Sequence, residues 1–408
     1  MSAICRICGV GEIEPILSLG AQPLANGYRL PAELERPEPR RPLDLVRCRR
    51  CALVQITEVV PPAELFAHYL YLSSYSSTML AHVEELVTRL VRERCLGAGH
   101  LAMEVASNDG YLLQFYRRAG VPVLGIEPAR NVAAIAERER GVRTLVEFFG
   151  ADVGRQLRER GERADVLHAN NVLAHVADLN GFVAGCRLAL ADDGVIVSES
   201  PYLGSFLRKV EFDTIYHEHL YYYSLTALCR LFERHDLVIT DCEPIAIHGG
   251  SLRIFAEHAS GRRRGDRVER LLAEEAAWGV DSAAPYARFA ADVERVRKEV
   301  RDTVRRLRAD GKRVCGYGAA AKATVLINSV GLGTDDIEFI CDKSPLKQGR
   351  FMPGVPIPIV PPAELLARRP DYCVLFVWNV ADEVRREQED WAQAGGRFIV
   401  PIPSVQIV

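Results

Sequence analysis

Apolar residues recur at two different periods along this chain, and the alternation between the periods outlines its architecture. Between residues 79 and 95 the positions Leu80, Val83, Leu86, Val87, Leu90 and Val91 follow helical spacing, with a polar opposite face. A short apolar run at 101–105 then reads as a buried strand. It leads through Ala106-Ser107-Asn108-Asp109-Gly110 into a further helix. The alternation continues with a strand at 123–126, a helix at 128–139 and a strand near 143–146. Next come a strand at 165–169, a helix at 179–190, and strands at 194–199 and 252–256. Strands alternating with helices predict an α/β domain, with a parallel sheet and helices on both faces. A long helix at 284–309 precedes a second series, with strands at 313–317, 337–341, 372–376 and 397–400. The first 75 residues show neither period. They carry Pro15, Pro23, Pro31, Pro37, Pro39 and Pro42, which exclude a long helix there. Three parts are therefore expected: a loop-rich module at 1–75, an α/β domain at 76–265, and linking helices with a second Rossmann-like domain at 266–408.

Composition changes this picture little. The 408 residues are 48% hydrophobic and 26% charged, with a formal net charge of −3. No basic face is implied, so a nucleic-acid partner is not expected. No apolar run approaches the roughly 20 residues that span a bilayer. The start of the chain lacks a signal-peptide core, so a cytoplasmic location and no membrane partner are expected.

Cysteine usage is more informative. Cys5 and Cys8 form one C-x-x-C pair and Cys48 and Cys51 a second, about 40 residues apart. Each pair suits a tight turn that aims two thiolates at one point, and two such turns give the tetrahedral sulfur site that zinc prefers. Four thiolates leave no open position, so the expected zinc is structural and supplies folding free energy to a small module. A redox pair or four buried cysteines are the alternatives.

In the first α/β domain, ligands are expected beyond the carboxyl ends of the strands. Glu104 ends the first strand and leads into a turn with Asn108, Asp109 and Gly110. Glu127 ends the second, where a carboxylate can accept both hydroxyls of a ribose. The turn is not G-x-G-x-x-G, and its acidic groups would repel a pyrophosphate. They suit a cationic ligand bearing a sulfonium and an amino group, which favours S-adenosylmethionine over a dinucleotide. Helix capping by the two glutamates is the plainer alternative. Asn170 and Asn171, after the fourth strand, place polar groups near the same edge.

The segment 212–224 packs Tyr216, His217, Glu218 and His219 beside Tyr221, Tyr222 and Tyr223 without the period of a core element. An acid/base cluster is the favoured reading, because imidazole titrates near neutrality. A metal site on His217 and His219, or a polar surface loop, are the other two. His248-Gly249-Gly250-Ser251 precedes a strand and reads equally as a ligand approach or a hairpin turn. In the second Rossmann-like domain, Gly316-Tyr317-Gly318-Ala319-Ala320-Ala321-Lys322 is half a dinucleotide fingerprint, with Asp342 at about the ribose distance. Lys322 suits a phosphate at a helix start; a domain that binds nothing fits as well.

Taken together, these motifs resemble the sugar 3-C-methyltransferases of deoxysugar pathways, which act on nucleotide-linked 4-keto-6-deoxyhexoses. The resemblance spans nearly the whole chain: both cysteine pairs, the tyrosine-serine run 69–76, and segments 104–110, 170–175, 216–219, 248–251 and 316–322. It implies structural zinc, S-adenosylmethionine, and a monomeric enzyme with its sugar nucleotide between domains. Carried over by position, it implies His219 as base, Tyr216, Glu218 and His175 around the sugar, and Tyr69, Tyr71 or Tyr75 over the cofactor. His248, Ser251, Tyr317 and Lys322 are the candidate substrate contacts. An O- or N-methyltransferase on a nucleotide sugar and an NAD-dependent oxidoreductase or epimerase are the rival activities.

Overall fold

The computed structural model describes residues 4–61 and 72–408. Tyr69 and Tyr71, expected over the cofactor, lie outside the described residues. Among the described residues the first part holds three strands, β1 (Ile13–Gln22), β2 (Arg41–Cys48) and β3 (Val54–Ile56), paired antiparallel in chain order.

The central layer is a seven-stranded sheet built from β4 (Ala102–Val105), β5 (Val123–Ile126), β6 (Thr144–Leu145), β7 (Ala164–His168), β8 (Leu190–Pro201), β10 (Leu237–Ile245) and β11 (Ser251–His258). The remaining short strand, β9 (Tyr221–Tyr222), leaves this layer and pairs with β3, Val54 opposite Tyr222. It thus joins the acid/base segment to the first module as the fourth strand of its sheet. The central order is β10-β11-β8-β7-β4-β5-β6. Pairing is parallel from β8 to β6 but antiparallel at β8–β11 and β11–β10. The sheet is therefore mixed: β11 runs against its neighbours, a reversal that hydrophobic period cannot encode because both directions bury the same alternating faces. β8 also runs longer than the expected 194–199, extending from Leu190 through Asp192-Asp193 to Pro201.

The C-terminal sheet has the order β14-β13-β12-β15-β16-β17, from β12 (Val314–Tyr317), β13 (Ile340–Cys341), β14 (Ile359–Val360), β15 (Tyr372–Leu375), β16 (Arg397–Val400) and β17 (Gln406–Ile407). It is parallel except at β16–β17.

Helices cover these sheets as their apolar stripes require. The helix Ser77–Glu93 buries Met79, Val83, Leu86, Val87 and Leu90, and Ser76 caps its start by accepting from the Met79 amide at 3.2 Å. The 26-residue helix Ala284–Ala309 buries Tyr286, Phe289, Val293, Val296, Val300, Val304 and Leu307. It packs on β1, on the helix Leu203–Arg208 and on the helix Ala321–Val330, so it touches all three parts. Each such buried side chain contributes roughly 1.5–3 kcal/mol. The helix Asp266–Trp278 docks through one carboxylate. Fully buried Glu275 accepts from the Leu225 and Thr226 amides (2.7 and 2.8 Å) and from the Thr226 hydroxyl (2.6 Å). A buried charge is tolerable there because three donors face it. Among the described residues no helix is long and apolar enough to cross a membrane. In the Arg262–Arg264 run, Arg262 pairs with Asp193 and Glu257, and Arg264 with Glu233.

Candidate active site

The four N-terminal cysteines converge. Their sulfur atoms all lie within 4.8 Å of one another, with Cys5–Cys51 at 3.3 Å and Cys8–Cys48 at 3.6 Å. Tetrahedral Zn–S bonds of about 2.3 Å put sulfurs about 3.8 Å apart, so small side-chain shifts seat zinc in the cluster. The backbone serves the same end. Gly9, just after the first pair, and Ala52, just after the second, adopt φ of 72° and 58°, reversing the chain around each pair. Among the described residues no other group of three or more potential ligands converges. His217 and His219 diverge: His217 faces the Pro42 carbonyl at 3.2 Å, while His219 points to Tyr216. The metal reading of that segment falls away.

The carboxyl edge of the central sheet is acidic and strained. Glu104 is 1% exposed, and burial, then Asp109, Glu127 and Glu199 nearby, push its carboxyl well above the ordinary range. Ala106, Asn108 and Gly110 adopt φ of 54°, 48° and 77°, so the turn winds through the left-handed region at every other residue. A Cβ on Gly110 would stand 3.0 Å from Val142, so glycine is required by both φ and space. Glu127 accepts the Asn108 amide at 3.0 Å and the Ala129 amide at 2.9 Å. The capping alternative is thus partly realised, since Ala129 is the N-cap of the helix Arg130–Arg140. The same bonds fix the carboxylate's orientation at the strand end. Ser73 and Ser74 close over the turn, the first through its amide to Asn108 (2.9 Å), the second through its hydroxyl to Asp109.

These groups fit S-adenosylmethionine. Glu104 Oε2, Asp109 Oδ1 and both amide atoms of Asn170 are buried with no hydrogen-bond partner among the described residues. Leaving such atoms unpaired costs about 1–3 kcal/mol each, which a polar cationic ligand would recover. Asn171, at φ 55°, donates its amide to the Glu199 carbonyl at 2.7 Å, which fixes the adjoining turn.

Tyr216, His219 and His175 come together at the same edge. The His219 Nδ1 lies 3.0 Å from the Thr214 carbonyl, which can only accept, so Nδ1 carries the proton. The lone pair then sits on Nε2, where the Tyr216 hydroxyl donates at 2.8 Å. His175 stands edge-on to His219 with ring centroids 5.0 Å apart. Desolvation pushes the His175 imidazole down to about 4, against a bond to the Glu218 carbonyl, and keeps it neutral. The Glu218 carboxylate accepts from Asn26 at 2.8 Å, and burial raises its pKa while that bond lowers it. The Thr214 carbonyl, not foreseen from the sequence, is therefore the group that orients His219.

The turn after β10 lies at this edge too, because Ser251 pairs with Pro201 at the end of β8. Ser251 donates to the Ile247 carbonyl at 3.1 Å. Gly249 and Gly250 leave no room for a Cβ, which would meet Glu211 and Ser205 at 2.6 and 2.7 Å. His248 sits in the short 3-10 turn between them and β10.

From the facing C-terminal sheet, Lys322 lies in the first turn of the helix Ala321–Val330 and 4.7 Å from the Trp378 ring centroid. Trp378 donates its indole N–H to Asp213 at 2.6 Å, bridging the two layers. Tyr317 is buried with its hydroxyl unpartnered among the described residues. Sequence reasoning missed Asp213, Glu211 and Trp378. It also missed a network in which Glu199 accepts from Arg253 (2.7 Å) and meets His82 (3.0 Å). Burial opposes the Glu199 charge, but the His82 and Arg253 contacts outweigh it and hold its carboxyl below the ordinary range.

Three family models cover the chain in series. They are a zinc binding domain at residues 5–66, a methyltransferase domain at 78–241 and a C-methyltransferase C-terminal domain at 246–403. The C-methyltransferase NovU of Streptomyces niveus is 39% identical over 405 residues, 99% of this chain and 96% of that protein. The chain belongs to this C-methyltransferase family. A ubiquinone biosynthesis O-methyltransferase of Rhodopseudomonas palustris is 28% identical over 101 residues, covering 24% of this chain and 39% of its own. Among solved structures, the magnesium protoporphyrin IX methyltransferase of Synechocystis matches with a TM-score of 0.34 and 13% identity, over 43% of this chain and 78% of that one. The C-methyltransferase is S-adenosylmethionine-dependent. Its acidic edge holds the groups that fit the cofactor, and its cysteine cluster is the zinc site.

Proposed function

We propose that this C-methyltransferase alkylates C3 of a nucleotide-linked 4-keto-6-deoxyhexose, with His219 as the base. The observation that carries the reading is the tautomer of His219: Nδ1 is committed to the Thr214 carbonyl, and Nε2 presents its lone pair beside Tyr216 and His175. A ketone at C4 acidifies the C3 proton, so a neutral imidazole suffices if the enolate oxygen finds donors. In the proposed step the C3–H bond breaks, its proton goes to His219 Nε2, and the electron pair forms the C3=C4 enolate. The Tyr216 hydroxyl turns from Nε2 to the C4 oxygen, and the neutral His175 stands beside it. When bound, S-adenosylmethionine would supply the electrophilic methyl for C3, its S–CH₃ bond breaking to leave neutral S-adenosylhomocysteine.

The cofactor contacts in this reading are Glu104, Asn108, Gly110, Glu127, Asn170 and Asn171, with Tyr69 and Tyr71 proposed beside them. His248, Ser251, Tyr317 and Lys322 are the proposed substrate contacts. Lys322 meets the diphosphate at a helix N-terminus. All of them come from one chain organised as 1–75, 76–265 and 266–408, so a monomer suffices. Glu218 borders the sugar rather than the imidazole, because its carboxylate is engaged by Asn26.

The test is incubation with S-adenosylmethionine and a panel of nucleotide-linked 4-keto-6-deoxysugars in D₂O, read by mass. A gain of about 14 mass units on the sugar is expected from the wild type. His219→Asn should lose C3 deuterium exchange and about 10²- to 10⁴-fold in turnover, with cofactor binding kept. Methylation of a hydroxyl or amine, located by fragmentation, would replace this reading with O- or N-transfer.

A further inference from the structure

The zinc module reaches the catalytic cleft with side chains that its metal site does not require. Its irregular stretch 23–28, between β1 and the contact of Arg29 with Phe351, makes polar contacts on two functional segments at once. Asn26 Nδ2 donates to Glu218 Oε1 at 2.8 Å. The Tyr28 hydroxyl donates to the Ala319 carbonyl at 2.6 Å and lies 3.3 Å from Asn26 Oδ1. Thr324 Oγ1 donates to the Ala25 carbonyl at 2.8 Å, and Lys347 Nζ lies 5.3 Å from the Tyr28 ring centroid while donating to the same Ala319 carbonyl. Ala319 belongs to the turn that carries Lys322, and Glu218 to the segment that carries His219.

These contacts are unlike a packing joint. Asn26 is exposed, whereas the Glu218 carboxylate that it holds is half-buried. Glu218 is anchored at both ends, its carbonyl by His175 and its carboxylate by Asn26. Behind it, the β3–β9 pairing, the bond from the Ile56 amide to the Leu220 carbonyl (3.0 Å) and the His217–Pro42 contact bind the rest of the segment to the same module. A carboxylate oxygen can only accept, so the Asn26 amide must present its N–H₂ side, which leaves its oxygen facing Tyr28.

We propose that Asn26 is a positioning residue of the methyl-transfer site. Its amide holds the Glu218 carboxylate toward the sugar, and Tyr28 ties the same loop to the 316–322 turn, so the zinc module forms a third wall of the substrate cleft. The inference rests on the nucleotide-sugar reading above for the identity of the ligand, but not for the contact itself.

The experiment uses the full zinc-loaded chain. Asn26→Ala should lower kcat/KM for the nucleotide-linked 4-ketosugar about tenfold, mostly through KM, with zinc content, melting temperature and S-adenosylmethionine affinity unchanged. Asn26→Asp should be worse, because it sets a second carboxylate against Glu218. In a Glu218→Ala background, which removes the acceptor, the Asn26→Ala loss should shrink to less than twofold, the sign of a residue acting through its partner. Tyr28→Phe should lose less, about two- to fivefold. Wild-type kinetics in Asn26→Ala, or an equal loss with and without Glu218, would overturn the proposal.

A readout independent of turnover separates the two readings. With ¹³C-labelled glutamate carboxyls, Asn26→Ala should move the Glu218 titration upward, since the amide favours the charged form. Among the described residues, Tyr28, which feels the Glu218 charge, and His175, bonded to the Glu218 carbonyl, stay in place. If the wild type methylates no sugar yet this titration moves, the substrate assignment fails while Asn26 keeps its hold. If the titration stays put, the Asn26 proposal fails.

Discussion

The central and C-terminal sheets place their first strands, β4 and β12, between parallel neighbours and end each in a turn leading to a helix, yet the two turns carry opposite chemistry. Glu104 near the end of β4, Asp109 after it and Glu127 after the neighbouring β5 make one edge acidic, with Glu199 near enough to add to the field on Glu104. After β12 stand Gly318, Ala319 and Lys322, with a helix N-terminus behind them. Topology therefore fixes where a ligand can enter, at the carboxyl ends of the strands, while the turn residues fix its charge. An acidic turn favours a cation; a glycine turn with a lysine favours an anion. In the proposed reading, one chain holds a cationic methyl donor and an anionic nucleotide on facing edges.

The sharpest way to break this comparison is to neutralise the acidic turn. Glu104→Gln should weaken S-adenosylmethionine binding by about 10²-fold, the scale of one lost charge-assisted bond, and leave nucleotide affinity unchanged. Calorimetry with each ligand reads both. Equal loss for both ligands would mean that Glu104 supports the fold generally.

Backbone geometry comes next, because both turns depend on glycine at positive φ. Gly318 has φ of 91°, and a Cβ there would stand 2.6 Å from Val377. Gly318→Ala should cost about 1–3 kcal/mol in thermal or urea unfolding, with the wall that Lys322 occupies disturbed first. A smaller effect follows from charge alone. Lys322→Gln should raise KM for the nucleotide sugar about tenfold, with cofactor binding intact, by removal of one phosphate contact. If neither KM nor nucleotide affinity responds, the second sheet is a structural partner that binds nothing, and the charge contrast has no functional meaning.

Much of this was legible beforehand, and the exceptions have physical causes. Glu104, Glu127 and the four cysteines stand out because strand ends and C-x-x-C spacing mark places as well as residue types. The segment 212–224 stands out for its lack of period. What period cannot carry is direction and partnership. The reversal of β11 leaves no trace, since either direction buries alternate residues. Thr214 acts through its carbonyl, which every residue has. His82 and Arg253 converge on Glu199 from a helix and a strand, each of which shows an ordinary amphipathic or alternating pattern. Asn26 and Tyr28 lie in a proline-rich stretch where no pattern predicts a neighbour. Asp213 and Trp378, 165 positions apart, meet only once both layers are folded.

Glu211 offers the smallest test of the contrast, and it works through pH. The side chain is 2% exposed with Oε1 unpartnered among the described residues. Burial pushes its carboxyl up to about 7, Lys322 and Lys209 pull it down, and Asp213 adds to the rise. A carboxyl with a folded value above its unfolded one, near 4.5, contributes stability that is complete below the unfolded value. That contribution is lost as pH rises through the folded one. The window therefore runs from about 4.5 to about 7. Glu211→Gln, neutral throughout, should be more stable than the wild type by about 1–2 kcal/mol at pH 8, and the gap should close toward pH 5. The ligand should feel the same proton. Below pH 7 a neutral Glu211 no longer offsets Lys322, so the basic turn should hold an anion more tightly in the wild type as pH falls. In Glu211→Gln the affinity should vary less over that range. Urea unfolding at both pH values reads the first effect and nucleotide calorimetry the second. A stability gap that stays constant with pH would show that Glu211 titrates as an ordinary carboxyl and that the Lys322 turn owes it nothing.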